Sequence, residues 1–231
     1  MRLHPGERTP LDVAAAERED AALRAAIVTL PLGGAIARYH ARMDALLAEA
    51  LAGDELACGP GCGTCCHQPL LVSFLELGTL YFSDEPRFGS PAFRGRLREA
   101  TAALGRWRAA AGAEGAVGLA RRQFAAQGAC VLLGDDERCT AYEARPFLCR
   151  NAVADVRCSF DLLASRGFGD LAALARRLRQ RLVEAYALDR FDRGRVHVAT
   201  AVFYLPEGLA WFADHAPKDE LRPLFARGER P

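Results

Sequence analysis

Apolar residues recur three and four positions apart along most of the chain, which is the spacing of amphipathic helices. The predicted helices span residues 12–30, 35–52, 73–82, 91–111 and 115–126, followed by a helix from Asp170 to Ala185 and a helical tail over 206–225. Asp170 opens the clearest of them, with Leu174, Leu178 and Leu182 on one face. The pattern predicts a mainly α fold.

Two helix boundaries have local signals. Pro31 and the Gly33–Gly34 pair are expected to end the first helix. Ser73 and Glu76 have the spacing of a capping box, in which both side chains accept hydrogen bonds from free amides at a helix start. A catalytic carboxylate is the alternative for Glu76, but the cap already accounts for it.

A small β-hairpin is predicted in the second half of the chain. Cys130–Leu133 and Arg138–Tyr142 flank a turn at Gly134–Glu137. If Asp135 and Asp136 form the loop, Leu132 lies opposite Cys139. Cys130, two residues before Leu132, then lies on the same face of the hairpin as Cys139. Residues 69–72 and 196–205 also favour extended backbone, although the second segment sits among helices.

The eight cysteines fall in two segments, four in each. The first segment lies on a glycine-rich loop and contains Cys58, Cys62, Cys65 and Cys66. The second segment contains Cys130, Cys139, Cys149 and Cys158. Short turns aim several sulfurs at one point, as a tetrahedral zinc site or an iron–sulfur cluster requires. The sequence therefore predicts a cysteine-rich metal-binding core packed between helices.

Composition limits the binding partners and the cellular compartment expected for this protein. The 231 residues carry a formal net charge of +1, so no global field favours nucleic acid, and no apolar run reaches the length of a membrane span. The N-terminus lacks the basic and apolar pattern of a secretory signal, which predicts a cytoplasmic protein. In that reducing compartment, clustered cysteines are expected to be metal ligands or redox groups rather than disulfides.

The spacing of the cysteines resembles a known family. Cys62-Gly-Thr-Cys65-Cys66 with Cys58 upstream, and Cys139-Thr-Ala-Tyr142-Glu-Ala-Arg145-Pro146-Phe-Leu-Cys149-Arg150 with Cys130 upstream, resemble the two halves of the YkgJ-type cysteine-cluster family. The resemblance covers Cys58 to Cys158. It implies chelation of zinc or iron and, through a related flagellin lysine methylase, a cluster-dependent protein modification.

Eight sulfurs can be divided in three ways: two sites of four, one polynuclear centre, or one four-cysteine cluster with spare thiols. The side chains of Cys65 and Cys66 are expected to diverge, which favours an iron–sulfur cluster over zinc, with both left open. The ligands expected first are Cys62, Cys65, Cys66, Cys139 and Cys149, and those expected next are Cys58, Cys130 and Cys158. His67 is either a ninth ligand or a loop histidine bonded to backbone.

Three further residues are candidates for contacts with the cofactor. Arg145 and Arg150 can offset thiolate charge by donating hydrogen bonds to sulfur. The alternative is surface charge or a salt bridge to Glu143 or Asp155. Tyr142 can donate a hydrogen bond to sulfur, but a buried aromatic ring that supports the turn is the favoured interpretation.

Three segments are expected to form one compact unit: N-terminal helices over 1–57, a cysteine-cluster domain over 58–160, and C-terminal helices over 161–231. The leading function is metal binding with a redox or protein-modification role. The alternative is a structural zinc protein that binds a protein partner. A radical S-adenosylmethionine enzyme, suggested by the CxxxCxxC spacing, is disfavoured because the barrel pattern is missing.

Overall fold

A computed structural model describes residues 21, 30–53, 55–59, 61–67, 69–114, 128–154, 169–191 and 201–226. The predicted helix at 115–126, most of that at 12–30, the predicted strand residues 196–200, Asp155 and the predicted ligand Cys158 lie outside these residues.

Helices dominate the described residues, as predicted. They are α1 (Leu32–Ala50), α2 (Phe74–Ser83), α3 (Glu85–Phe88), α4 (Pro91–Glu114), α5 (Phe147–Asn151), α6 (Gly169–Ala185), α7 (Leu205–Asp214) and α8 (Lys218–Phe225). Short 3-10 turns occur at Thr64–His67, Tyr142–Ala144 and Leu188–Phe191. None of the described helices combines the length and the apolar character needed to cross a membrane.

The start of α1 differs from the prediction. The expected breakers Gly33 and Gly34 lie inside its first turn, and Pro31 is its N-cap. Proline suits this position because a helix start needs no amide there. A Cβ at Gly33 would collide with the carbonyl oxygens of Phe225 and Ala226, so this glycine allows the end of α8 to approach α1.

The two described strands come from distant parts of the chain. β1 (Leu71–Ser73) pairs antiparallel with β2 (Val202–Tyr204), with Val72 opposite Phe203. Leu205 N–H extends the pairing by donating to the carbonyl of Leu70. Extended backbone was predicted at both places, but their pairing was not, because no local signal links them.

The predicted hairpin is reduced to one β-bridge, and its register is wrong by one residue. Leu133, not Leu132, lies opposite Cys139. Glu137 adopts a left-handed conformation, with φ of 59°, and Gly134 N–H bonds to the carbonyl of Arg138. The loop thus has three residues instead of two, which shifts the pairing.

The core surrounds α2, which packs against β1, α1, α7 and α8. Its buried side chains include Phe74, Leu77 and Leu80. A Cβ at Gly78 would collide with the ring of Phe225, so α8 lies directly on this glycine. Ser73 caps α2 in the predicted capping box with Glu76. The cysteine segments lie beside this core, at the N-terminal side of α2 and on the turns around α5.

Candidate metal centre

Cys65 and Cys66 lie on the 3-10 turn Thr64–His67, directly after the glycine-rich loop. Within that loop, Cys62 N–H donates to Gly59 O, and Cys66 N–H donates to Gly63 O. His67 Nδ1 lies 3.2 Å from the Gly63 carbonyl oxygen, which is the backbone bond expected for a loop histidine.

The two cysteine segments meet through their backbones. Cys130 N–H donates a hydrogen bond of 2.7 Å to Cys66 O. The amide of Leu132 in turn lies 3.5 Å from Cys130 Sγ, as a donor to sulfur. Residues far apart in the sequence are therefore adjacent in the fold.

Five thiols interact electrostatically around this junction, and we call them the five-thiol group: Cys65, Cys66, Cys130, Cys139 and Cys149. The divergence of the adjacent pair stays a prediction, and a side-chain hydrogen bond between Cys65 and Cys66 perturbs both thiols. That bond lowers the pKa of Cys65 to about 7 and raises the pKa of Cys66. Both residues sit on one tight turn, which brings neighbouring side chains together.

Burial and mutual repulsion act on the thiols of the second segment. Burial raises the pKa of Cys130 to about 11, and the neighbouring Cys139 adds to the effect. Burial also raises the pKa of Cys149, with further contributions from Cys130 and Cys65. A cation at this point would relieve that repulsion, since metal binding favours the thiolate.

Cys58 lies at the edge of this arrangement. Its sulfur accepts a hydrogen bond of 3.1 Å from Ala154 N–H, and the adjacent Ala57 N–H donates to Ala154 O. Backbone amides directed at sulfur are typical of metal-bound thiolates. The first segment is therefore attached to both ends of the described part of the second.

None of the seven cysteines that the structure describes forms a disulfide, and all are half-buried. Among the described residues, no three Cys, His, Asp or Glu side chains are grouped closely enough to hold a metal ion. The donor chemistry fits a thiolate-bound metal, but the sulfurs do not converge in this conformation.

Comparison with known families fits the cysteine pattern. Residues 57–162 match the CxxCxxCC family. Its model is described as a "putative zinc- or iron-chelating domain". Neither the curated proteins nor the solved structures contain a significant match to this chain. The match lies in the same region as the resemblance found from the sequence.

Arg145 contributes a positive charge to the thiols of the matched segment, residues 57–162. Its charge contributes to lowering the pKa of Cys65 and opposes the rise at Cys149. The guanidinium carbon lies 3.8 Å from the ring centroid of Tyr142, a cation–π contact. Arg145 Nε is buried with no hydrogen-bond partner in the structure. The expected burial of Tyr142 is wrong, because 48% of this residue is exposed.

Arg150 connects residues 143–150 to α1 through three hydrogen bonds. Its Nη1 donates to Asp44 on α1 at 2.5 Å, its Nε to Arg145 O at 3.0 Å, and its Nη2 to Glu143 O. A salt bridge was one of the two expectations for Arg150. Its carboxylate partner is Asp44, whereas Glu143 or Asp155 had been expected. No spacing rule could find Asp44, because it lies on a helix far away in the sequence.

A cleft of about 1010 Å³ lies beside residues 139–144. It is lined by α1, by the C-terminal end of α2, by α3, by residues 139–144 and by the end of α8. Cys139 and Tyr142 belong to its wall. The cleft therefore leads from solvent to one member of the five-thiol group.

Proposed function

We propose that this protein binds a metal centre through thiolates of both cysteine segments, as an iron–sulfur cluster or as zinc. The observation that carries the proposal is the Cys130–Cys66 hydrogen bond, because it places thiols of the two segments in one neighbourhood. The family description of residues 57–162 supports the same chemistry.

The number of thiols favours a centre larger than one mononuclear ion. A tetrahedral zinc ion takes four thiolates, whereas the five-thiol group exceeds that number before Cys58 and Cys62 are added. An iron–sulfur cluster would supply one-electron redox chemistry, and zinc would supply a structural or Lewis-acidic centre. The side chains of the half-buried cysteines would rotate so that their sulfurs converge on the iron–sulfur cluster or on the zinc ion.

Arg145 would offset the negative charge that such a centre accumulates. Four thiolates around a divalent ion leave a net charge of about −2. The charge of Arg145 already acts on Cys65 and Cys149, and its buried Nε has no hydrogen-bond partner among the described residues. Of the three residues predicted to contact the cofactor, Arg145 has the strongest support, whereas the guanidinium nitrogens of Arg150 are bonded elsewhere.

The experiment that tests the proposal is the measurement of iron, zinc and acid-labile sulfide per chain in protein purified without oxygen, together with its visible spectrum. Iron with stoichiometric sulfide and a broad band near about 400 nm would establish a cluster. Protein that holds neither iron nor zinc under these conditions would refute the proposal.

A second candidate is a structural zinc protein that binds a partner protein. The observation that favours it is the cleft that reaches Cys139 and the exposed ring of Tyr142, because ligand sites are typically clefts of about 300–1,000 Å³. One or two zinc ions without sulfide or colour would select this candidate.

A further inference from the structure

Glu76 is a buried carboxylate shared by three helices. The residue is only 2% exposed. Its Oε2 accepts hydrogen bonds from Ser73 N–H at 2.9 Å and from Arg179 Nη1 at 3.0 Å, and the Ser73 hydroxyl also donates to it. Capping of α2 accounts for the bonds with Ser73, and Arg179, on α6, balances the buried charge.

The second oxygen of Glu76 has a partner that the capping of α2 does not require. Oε1 accepts a hydrogen bond of 2.8 Å from the backbone N–H of Phe147. Phe147 is the first residue of α5, and its N-cap, Pro146, offers no side-chain acceptor. Because Phe147 is 2% exposed, Glu76 takes the place that water or a capping side chain would fill.

The turn that Glu76 caps carries Cys149. Cys149 N–H donates to Pro146 O at 3.0 Å, so this cysteine belongs to the first turn of α5. The next residue, Arg150, attaches the turn to α1 through Asp44. The Asp44 side chain is 45% exposed, and the side chain of Glu76 only 3%, so the anchor at Glu76 is the one shielded from solvent.

We infer that Glu76 is a positioning residue of the metal centre, which fixes Cys149 by holding the Phe147 amide from across the fold. The inference rests on the proposed function, since it assigns Cys149 to the centre. Residues that orient metal ligands typically change metal affinity about 10–100-fold when they are replaced. Glu76 thus links the core to the site, in addition to capping α2.

The test compares Glu76→Gln with Ser73→Ala. The glutamine amide presents one oxygen, so it cannot satisfy both Phe147 N–H and the donors on Ser73 and Arg179. Ser73→Ala weakens the α2 cap but leaves the Glu76–Phe147 bond in place. The full-length protein, purified with its iron or zinc, is dialysed against increasing chelator, and the concentration that removes half of the metal is recorded with the absorption spectrum.

The expected result is an affinity about 10–100-fold lower for Glu76→Gln, with an altered spectrum, and an affinity within about threefold of wild type for Ser73→Ala. Equal affinities in wild type and Glu76→Gln would overturn the inference. Wild-type protein without bound iron or zinc would instead overturn the proposed function, and the inference would fall with it.

Folding of the variants does not limit the test. Amide hydrogen exchange on metal-free wild-type protein reports the same bond directly. Strong protection of the Phe147 amide, relative to the amide of the neighbouring residue Leu148, which is 43% exposed, supports a turn held by Glu76 before metal binds. An unprotected Phe147 amide would overturn the inference even if Glu76→Gln failed to fold.

Discussion

The backbone of Cys130 is hydrogen-bonded to the backbone of Cys66, at 2.7 Å. These residues belong to different cysteine segments, and α2, α3 and α4 lie between them in the chain. The five-thiol group therefore depends on a contact between residues that lie far apart in the sequence. A metal centre here depends on tertiary structure, in contrast to a short zinc finger whose ligands lie close in sequence.

The grouping of the thiols predicts unequal effects of cysteine replacement. Cys149→Ser should remove most of the metal, because Cys149 is a half-buried member of the five-thiol group that interacts with Cys65, Cys130 and Cys139. Cys62→Ser, outside that group, should retain more metal. Elemental analysis of both purified variants checks this expectation, and equal metal loss would contradict the grouping. This order differs from the ranking by sequence, which placed Cys62 and Cys149 together among the ligands expected first.

Arg145 should contribute to the reactivity of Cys65 in metal-free protein. The pKa of Cys65 is lowered to about 7, first by the Cys66 hydrogen bond and further by Arg145, so its thiolate forms as pH rises through about 7. Arg145→Met removes the positive charge and should move the midpoint of alkylation to higher pH. Arg145→Lys should shift it less. Iodoacetamide labelling followed by peptide mass analysis reports this midpoint, and an unchanged midpoint in Arg145→Met would contradict the assigned role.

Gly78→Ala should destabilise the fold, because the new Cβ would collide with the ring of Phe225. Overpacking of this kind costs about 1–3 kcal/mol. Gly105→Ala on α4 is the matched control, since its Cβ would meet no atom within 4 Å. That replacement should stabilise the protein by about 0.4–1 kcal/mol. Urea unfolding measures the change in the free energy of unfolding for both variants. Changes of the same sign in the two variants would contradict the packing of α8 on Gly78.

The ion pair between Glu85 and Arg222 predicts a pH-dependent contribution to stability. Hydrogen bonds from Arg222 lower the pKa of Glu85. A carboxylate with a lowered pKa stabilises the folded state above its ordinary pKa, and this contribution is lost as pH falls through the folded value. Glu85→Gln should thus be less stable than wild type at pH 7, with the difference vanishing in acid.

Asp219→Asn provides the control for that experiment. Asp219 also contacts Arg222, at 3.1 Å, but its side chain is 98% exposed. Solvent screening makes such pairs weak, so this variant should unfold like wild type at both pH values. A gap between wild type and Glu85→Gln that persisted in acid would show that the loss has another cause.

Local signals predicted the helices and caps well. The apolar period located α1, α4 and α6, and the spacing of Ser73 and Glu76 located the start of α2. These features depend on residues a few positions apart, which a sequence displays directly. The family resemblance likewise followed from spacing within each cysteine segment.

Contacts between distant residues were not predictable in the same way. Nothing local indicates that Glu76 reaches Phe147 or that Arg150 reaches Asp44. The exposure of Tyr142 also depends on such packing, because the ring lies under Arg145 at the surface instead of in the core. The spacing of the cysteines predicted candidate ligands, whereas the residues that hold those cysteines in place were found only in the structure.

The pairing of β1 with β2 has a consequence for expressing the cysteine region alone. A fragment limited to residues 57–162 would begin after α1 and end before β2, α7 and α8. The edge of β1 and the apolar faces of α2 would then be open to water, which makes aggregation of such a fragment the expected outcome. Excision at the limits of the motif would thus separate the thiols from the scaffold that orders them.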